Sequence, residues 1–292
     1  MSYGLISILL CFMAFVLMMP ASFKLKERYN SESEESFTIK RMFKYLFRNK
    51  YLLIYYVGLF FSSSLNVGNA FNLFVSYYLF HSTLFSIVVG AVVTFPQLAV
   101  SLLLPKIIRK VDKMKFYRFC TLLTVILGLL IWTVGYKNIW VYIILFTIRS
   151  IPLSVTGLMM FMFTPDCAEY GRYETGIDAK GITFSIQTFI AKLSGSISGA
   201  LGLFLLGLKS VGWVNVEVES FEELERLGVT QSDHALNMLW TIFMLVPTIG
   251  YAIGYVIWRF YKLKDSEVQV MADCNAGKIT AQEAKEKLGG KI

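Results

Sequence analysis

The chain has 292 residues, of which 55% are hydrophobic and 16% charged, and it carries a formal net charge of +8. A soluble domain carries about 25% charged residues, so a cytosolic enzyme is excluded, and apolar runs near the roughly 20 residues that cross a bilayer core make the lipid bilayer the solvent for most of the chain. The basic surplus does not interleave with aromatics in any polar segment, so no nucleic acid is expected as a partner.

The first apolar run covers residues 5–19 and is followed by Pro20 and Ala21. A secretory signal would carry its positive charges ahead of such a run. Here Lys24, Lys26 and Arg28 come after it, so residues 1–21 are expected to form a transmembrane helix that ends in the cytoplasm. Residues 22–51 are polar, with an acidic-serine stretch at 31–36, and are expected to be a cytoplasmic linker. Further spans are expected at about 52–78, 84–104, 117–136, 139–164, 181–208 and 235–261, followed by a cytoplasmic tail over 262–292.

The connections sort by charge. Segment 22–50 holds eight Lys and Arg residues and segment 105–118 holds six, while 79–83 holds none and 209–234 is rich in Glu. Lys and Arg are retained on the cytoplasmic side. Seven alternating spans satisfy this pattern with the first residue outside and the C-terminus inside. An odd count with an external start leads to the expectation that an N-terminal portion of a larger protein is missing.

Polar groups inside hydrocarbon are costly and are therefore functional candidates. In the span at 52–78, Asn66, Asn69 and Asn72 follow one another at i,i+3 spacing, with Ser62, Ser63 and Ser64 just before them. Such a stripe would line an aqueous path or bind a neighbouring helix. Pro96 and Pro247 would kink their helices by removing a backbone donor. Arg149 is central in its span and would either meet an acid from the missing portion or face a water-filled cavity.

The stretch from Pro165 to Lys180 carries alternating charges at Asp166, Glu169, Arg172, Glu174, Asp178 and Lys180. A solvated loop is one reading; the other is a cytoplasmic gate whose ion pairs form in one state and break in another. Lys192 lies about 16 Å into the following span at ~1.5 Å per residue, near the middle of the bilayer core. Thr188 shares its helical face and Gln187 stands beside it, a set suited to hydrogen-bonding sugar hydroxyls or pairing with a carboxylate. Gly195 and Gly199 form a small-xxx-small pair, expected to serve helix packing. In the tail, Thr280 and Glu283 fit a capping box for a short helix. With only His81 and His234, and four cysteines without paired spacing, no metal site, disulfide or resident cofactor is indicated.

The run from Asp166 through Cys-Ala-Glu-Tyr-Gly-Arg-Tyr-Glu-Thr-Gly, followed by Gly181-Ile-Thr-Phe-Ser-Ile-Gln-Thr-Phe-Ile-Ala-Lys192, resembles the glycoside-pentoside-hexuronide:cation symporters of the major facilitator superfamily. Lys26-Glu27-Arg28, Arg48-Asn-Lys-Tyr-Leu-Leu and Phe260-Tyr-Lys-Leu agree with it. The resemblance implies an all-α integral membrane fold: the family's sixth helix at 1–21, a central linker at 22–51 and a C-terminal six-helix domain at 52–261. It implies secondary active transport of a sugar or glycoside with Na⁺ or H⁺ by alternating access in the plasma membrane, rather than catalysis.

Lys192 matches the family's lysine near the sugar and cation sites, Gln187 and Thr188 its polar neighbours, and Asp166 and Glu169 acids that help close the cytoplasmic side. Two departures stand out. Asp178 and Lys180 occupy positions where the family usually has Arg and Glu, and Arg172 stands where an acid is common. The family's coupling carboxylates belong to helices outside this chain, so the cation site would lie mostly in a partner N-terminal half. The alternative is a membrane sensor, regulator or degenerate fragment that keeps the fold without transporting.

Overall fold

In hydrocarbon a backbone can satisfy its polar groups only within itself or in a closed barrel, and the regular structure among the described residues is helical. The computed structural model describes residues 3–24, 39–82, 85–216, 223, 226 and 228–289, apart from the side chains of 3, 21, 22, 24, 39–43 and 69. The basic cluster at 26–28, the serine-acid stretch at 31–36 and the glutamates at 217, 219, 222 and 225 lie outside the described residues.

The chain parts into two units, Met1–Ser36 and Phe37–Ile292. The first holds α1 (Tyr3–Lys24), with apolar side chains such as Leu9, Phe12 and Phe15 exposed around it. A helix that is apolar on every face is suited to lipid or to burial in other protein.

The second unit begins with α2 (Ile39–Arg48), inside the stretch expected to be a linker, and continues with α3 (Lys50–Ser64) and α4 (Gly68–Phe74), the latter extended by a π-helical turn over Val75–Leu79. Then come α5 (Phe85–Ile108), α6 (Lys113–Val134), α7 (Ile139–Met159), α8 (Phe163–Thr175), α9 (Lys180–Leu206), α10 (Asp233–Trp258), α11 (Asp265–Asn275) and α12 (Ala281–Leu288). Five described stretches are long and apolar enough to cross a membrane: α5, α6, α7 running on into α8, α9 and α10. Gly4–Pro20 and Ala70–Leu79 are apolar but shorter.

Side-chain caps fix several helix starts by satisfying N–H groups that have no partner in the first turn. Asn49 Oδ1 accepts from the Leu52 amide for α3, Asp112 from Lys115 for α6, Asn138 from Trp140 and Val141 for α7, and Ser232 from Ala235 for α10. Thr280 and Glu283 form the expected capping box for α12. Buried hydroxyls return to the carbonyl four residues earlier, as Thr121 does to Tyr117 and Thr124 to Cys120, which spares them an unpaired group in a dry interior.

Helix α10 packs against α3 and α6, α7 against α5 and α6, and α9 against α3. One core cluster gathers Tyr51, Tyr55, Tyr117, Phe163, Trp258 and Tyr261 from α3, α6, α8 and the end of α10. Trp258 Nε1 donates to the Tyr55 carbonyl at 3.2 Å. A second cluster centres on Phe71, Ile131, Tyr142, Leu239 and Trp240.

Three features differ from the sequence reading. The span expected at 52–78 is broken: α3 stops at Ser64, and Leu65, Asn66 and Val67 turn before α4 begins. Polar residues from Ser62 to Asn66 compete with the helical ladder and tolerate such a turn. The charged stretch after Pro165 is helical through Thr175 rather than a loop, and α8 ends at Gly176 in the left-handed conformation with φ +70°. Glycine takes that conformation without a Cβ penalty.

The third difference concerns glycine packing. A Cβ on Gly195 or Gly199 would meet nothing within 4 Å among the described residues, so the pair makes no close helix approach within the second unit. The close approach is made by Gly250 and Gly254 of α10 against α3. There a Cβ on Gly250 would sit 2.8 Å from Leu65 Cβ, and one on Gly254 would sit 3.2 Å from the Gly58 carbonyl.

Candidate functional site

The turn between α3 and α4 brings polar groups to the interior of an apolar bundle. Asn66 lies in that turn and borders two clefts within the second unit. The larger, about 370 Å³, is formed by α4, α5, α7 and α10, and its polar lining consists of Asn66, Asn72, Thr94, Arg149 and Tyr251. The smaller, about 310 Å³, lies between α3, α4 and α9, with Ser63, Asn66, Gly195 and Ser198 among its lining. Ser198 Oγ donates to the Asn66 carbonyl at 2.8 Å, holding α9 to the turn. Ligand sites are commonly clefts of about 300–1,000 Å³ with mostly apolar walls and a few convergent polar groups.

Arg149 is buried and lines the larger cleft. Nε donates to the Thr124 carbonyl at 3.3 Å, Nη2 to Thr248 Oγ1 at 3.3 Å and Nη1 to Met244 Sδ at 3.6 Å. Room for this arrangement comes from Gly128, where a Cβ would collide with Thr248 and stand 3.1 Å from Arg149 Nη2. Asn72 lines the same cleft; Asn69 is within α4, but its side chain lies outside the described residues.

The trio on α9 is divided. Gln187 is buried, and its Oε1 has no hydrogen-bond partner among the described residues. Lys192 and Thr188 are exposed on α9 and border neither cleft. Thr188 Oγ1 donates to the Phe184 carbonyl, and Ser196 Oγ donates to the Lys192 carbonyl. No ion pair to Lys192 forms among the described residues. Gln187 is one residue off the Lys192–Thr188 face, and the 100° step of a helix turns it inward against the bundle.

The five gate candidates are brought together at one end of the second unit. Arg172 pairs with Asp178 at 3.2 Å, and Lys180 with Glu169 at 3.0 Å. The reversed signs at 172, 178 and 180 therefore still yield ion pairs, with partners exchanged. Asp166 pairs with Lys113 at 2.5 Å, and Lys113 Nζ also lies 3.5 Å from Asp265 Oδ1.

The C-terminal tail joins this network. Asn275 Nδ2 donates to the carbonyl and to Oε2 of Glu169, both at 2.9 Å, so α11 is tied to α8. Sequence reading left out Lys113, Asp265 and Asn275, because they are 53 to 153 positions from their partners. No pattern along the chain signals pairs so far apart. The smaller cleft and the packing role of Gly250 were missed too, although the Gly250-x-x-x-Gly254 spacing was a usable signal.

Comparison with known proteins agrees with the fold. Residues 1–265 match the family described as MFS/sugar transport protein. The chain is 28% identical over 202 residues to the glucuronide carrier protein homolog of Escherichia coli (strain K12), covering 66% of this chain and 39% of that protein. It is 23% identical over 283 residues to the isoprimeverose transporter of Lactiplantibacillus pentosus, covering 92% of this chain and 54% of the relative. An uncharacterized 29.9 kDa protein in the crtE 3′ region of Pseudescherichia vulneris is 27% identical over 206 residues, covering 70% and 69% of the two chains. The chain thus spans about half or less of the two transporters' lengths. The resemblance to the glycoside-pentoside-hexuronide symporters holds, and two of the named relatives, the glucuronide carrier homolog and the isoprimeverose transporter, are membrane carriers rather than enzymes. A multi-pass, all-helical membrane protein, the chain belongs to the MFS/sugar transport protein family.

Proposed function

We propose that this chain supplies the C-terminal part of a sugar or glycoside carrier in the plasma membrane, with its C-terminus in the cytoplasm. A partner N-terminal half completes the carrier and supplies most of the Na⁺ or H⁺ site, and the two halves work by alternating access. The observation that carries this reading is the polar cleft of about 370 Å³ inside an otherwise apolar bundle. Asn66, Asn72 and Thr94 provide the donors and acceptors that sugar hydroxyls require.

The exposed face of α9 supports the need for a partner half. It presents Lys192 together with Thr188 and Ser196, and a cation facing lipid at mid-span is strongly disfavoured. Covered by a second bundle with water between, that face becomes the inner wall of a central path, where Lys192 and Thr188 meet substrate or a partner carboxylate. The ion pairs of Asp166, Glu169, Arg172, Asp178 and Lys180 act as the cytoplasmic closure: they are strongest when α8, α9 and α11 are together and are exchanged for water when these separate.

The test is co-expression of this chain with the N-terminal half of a relative, with sugar counterflow measured in membrane vesicles. Counterflow that needs both halves and is lowered by Lys192→Ala is expected. Sugar binding without counterflow would favour the sensor or regulator, and counterflow indifferent to Lys192→Ala would remove the role given to that residue.

A further inference from the structure

One end of the second unit carries cations that the fold itself does not use. Arg109 and Lys110 stand in the turn between α5 and α6, Lys115 and Arg118 in the first turns of α6, and Arg259 and Lys262 where the chain leaves α10. Three contacts bring these stretches together. The Lys113 amide donates to Asp265 Oδ2 at 2.8 Å, the Asp265 amide donates to Asp112 Oδ2 at 3.4 Å, and the Tyr117 and Trp258 rings meet with centroids 4.7 Å apart. The acids at this end are engaged within the fold: Asp166 and Asp265 hold Lys113, Asp112 accepts from the Lys115 and Asp265 amides, and Glu267 accepts from the Lys264 amide at 2.9 Å. None of the six cations pairs with a carboxylate among the described residues.

Exposed rings stand among these charges. On α6, Met114, Tyr117 and Cys120 are buried, which turns Lys115 and Phe119 away from the core; past α10, Tyr261 and Leu263 are buried and Arg259, Phe260 and Lys262 are exposed. Phe119 is 57% exposed and Phe260 65%. Retention of Lys and Arg on one side of a membrane accounts for cations at a helix end, but not for the inward use of the acids or for the bare rings between the cations. A surface that is cationic and apolar together fits the boundary between headgroups and acyl chains, where long basic side chains snorkel toward phosphate and rings stay in the apolar layer. A guanidinium fork also matches phosphate oxygens in a way that an ammonium does not. We infer that this end of the bundle binds an anionic phospholipid, with Arg118 and Arg259 on the headgroup phosphate and an acyl chain against Phe119 and Phe260. The inference requires only a bilayer around α5, α6 and α10, and stands apart from the sugar-carrier reading.

The test uses the full chain in detergent with equal amounts of phosphatidylglycerol and phosphatidylcholine of matched acyl chains, and native mass spectrometry counts the lipid retained. Phosphatidylglycerol adducts are expected to exceed phosphatidylcholine adducts about fivefold or more. Arg118→Gln with Arg259→Gln should bring the ratio to within about twofold, whereas Arg118→Lys with Arg259→Lys should keep most of it, since the charge remains. Lys285→Gln with Lys287→Gln removes the same charge from exposed positions of α12 and should leave the ratio unchanged. Thermal unfolding of the wild-type chain gives a readout that needs no variant. Phosphatidylglycerol should raise Tm more than phosphatidylcholine does, and the difference should shrink as salt rises from about 0.05 M to about 0.5 M. Equal retention of the two lipids overturns the inference and leaves the patch to an acidic protein surface. A ratio that falls as far in the α12 pair as in the arginine pair also overturns it, and reduces the effect to net charge.

Discussion

Replacing Lys113 with methionine removes the cation that joins α6 to α8 and α11 while keeping most of the side chain's length. Lys113 Nζ lies 2.5 Å from Asp166 and 3.5 Å from Asp265, and the Lys113 amide donates to Asp265 Oδ2 at 2.8 Å. An exposed pair contributes about 0–1 kcal/mol, whereas breaking a fully buried one costs about 3–5 kcal/mol because a carboxylate is left dry and unpaired. The Lys113 and Asp166 side chains are 19% and 13% exposed, so the cost of Lys113→Met falls between these limits, at about 2 kcal/mol.

In a unit of this size that loss lowers Tm by roughly 4–8 °C, readable by tryptophan fluorescence during heating in detergent. Asp166→Asn should cost less, since Lys113 then keeps Asp265. The double variant should recover part of the sum, giving a coupling energy of about 1–2 kcal/mol. If the two single effects add to within about 0.3 kcal/mol, the pair is not the clamp described here. If these ion pairs close a gate, the same variants should speed its opening, seen as faster labelling of Cys167, which is buried against Tyr261.

Three further perturbations examine other parts of the structure. Gly250→Val places atoms where Leu65 Cβ would stand 2.8 Å from the first added carbon, and overpacking costs about 1–3 kcal/mol. Gly195→Ala meets nothing within 4 Å and should leave thermal stability unchanged; the reverse order would return the packing role to α9. Asn49→Ala removes both the α3 cap and the 2.7 Å bond from Nδ2 to the Cys167 carbonyl, for a loss of about 2 kcal/mol by thermal unfolding. Asn49→Ser, which keeps a cap, should recover roughly half of it. In the tail, the Thr280 amide and then its hydroxyl hold the Glu283 carboxyl below its ordinary value of 4.5. A depressed value means that the cap's contribution is present above the ordinary range and lost as pH falls through the folded-state value. Amide hydrogen exchange in α12 should therefore quicken, relative to its intrinsic rate, as pH drops below 4.5, and should not do so in Glu283→Gln, which has no carboxyl to titrate.

Five helices of bilayer length were legible because their cause is local, an apolar run long enough to cross a bilayer core. The α12 capping box was legible for the same reason, with Thr280 and Glu283 three residues apart. The depth of Arg149 could be counted along its helix, but the identity of its neighbours, Thr124, Met244 and Thr248 from two other helices, could not.

Gln187 and Lys192 were grouped by spacing along α9. Only the position of the helix against α3 decides that one turns inward and the other out. The break at Leu65–Val67 is similarly a tertiary outcome. Sequence places serines and asparagines there, but whether they line a continuous helix or stop it depends on Ser198 of α9 being present to bind the Asn66 carbonyl. The gate charges were recognised as a group, whereas their pairing required α6 and α11 to be folded against α8.

A carrier built on this chain requires the cleft beside Arg149 to be wet and open to solute during its cycle. A single cysteine at Asn72, in a background where Cys11, Cys120, Cys167 and Cys274 are serine, gives the most direct measurement. The membrane-impermeant reagent MTSET, added to vesicles carrying this chain with its partner half, should modify position 72. A bound sugar or glycoside substrate should slow the reaction, while a cysteine at Leu102, on the exposed apolar face of α5, should stay unreactive. Equal silence at positions 72 and 102 would mean a dry, closed space, and the carrier site described here would not exist.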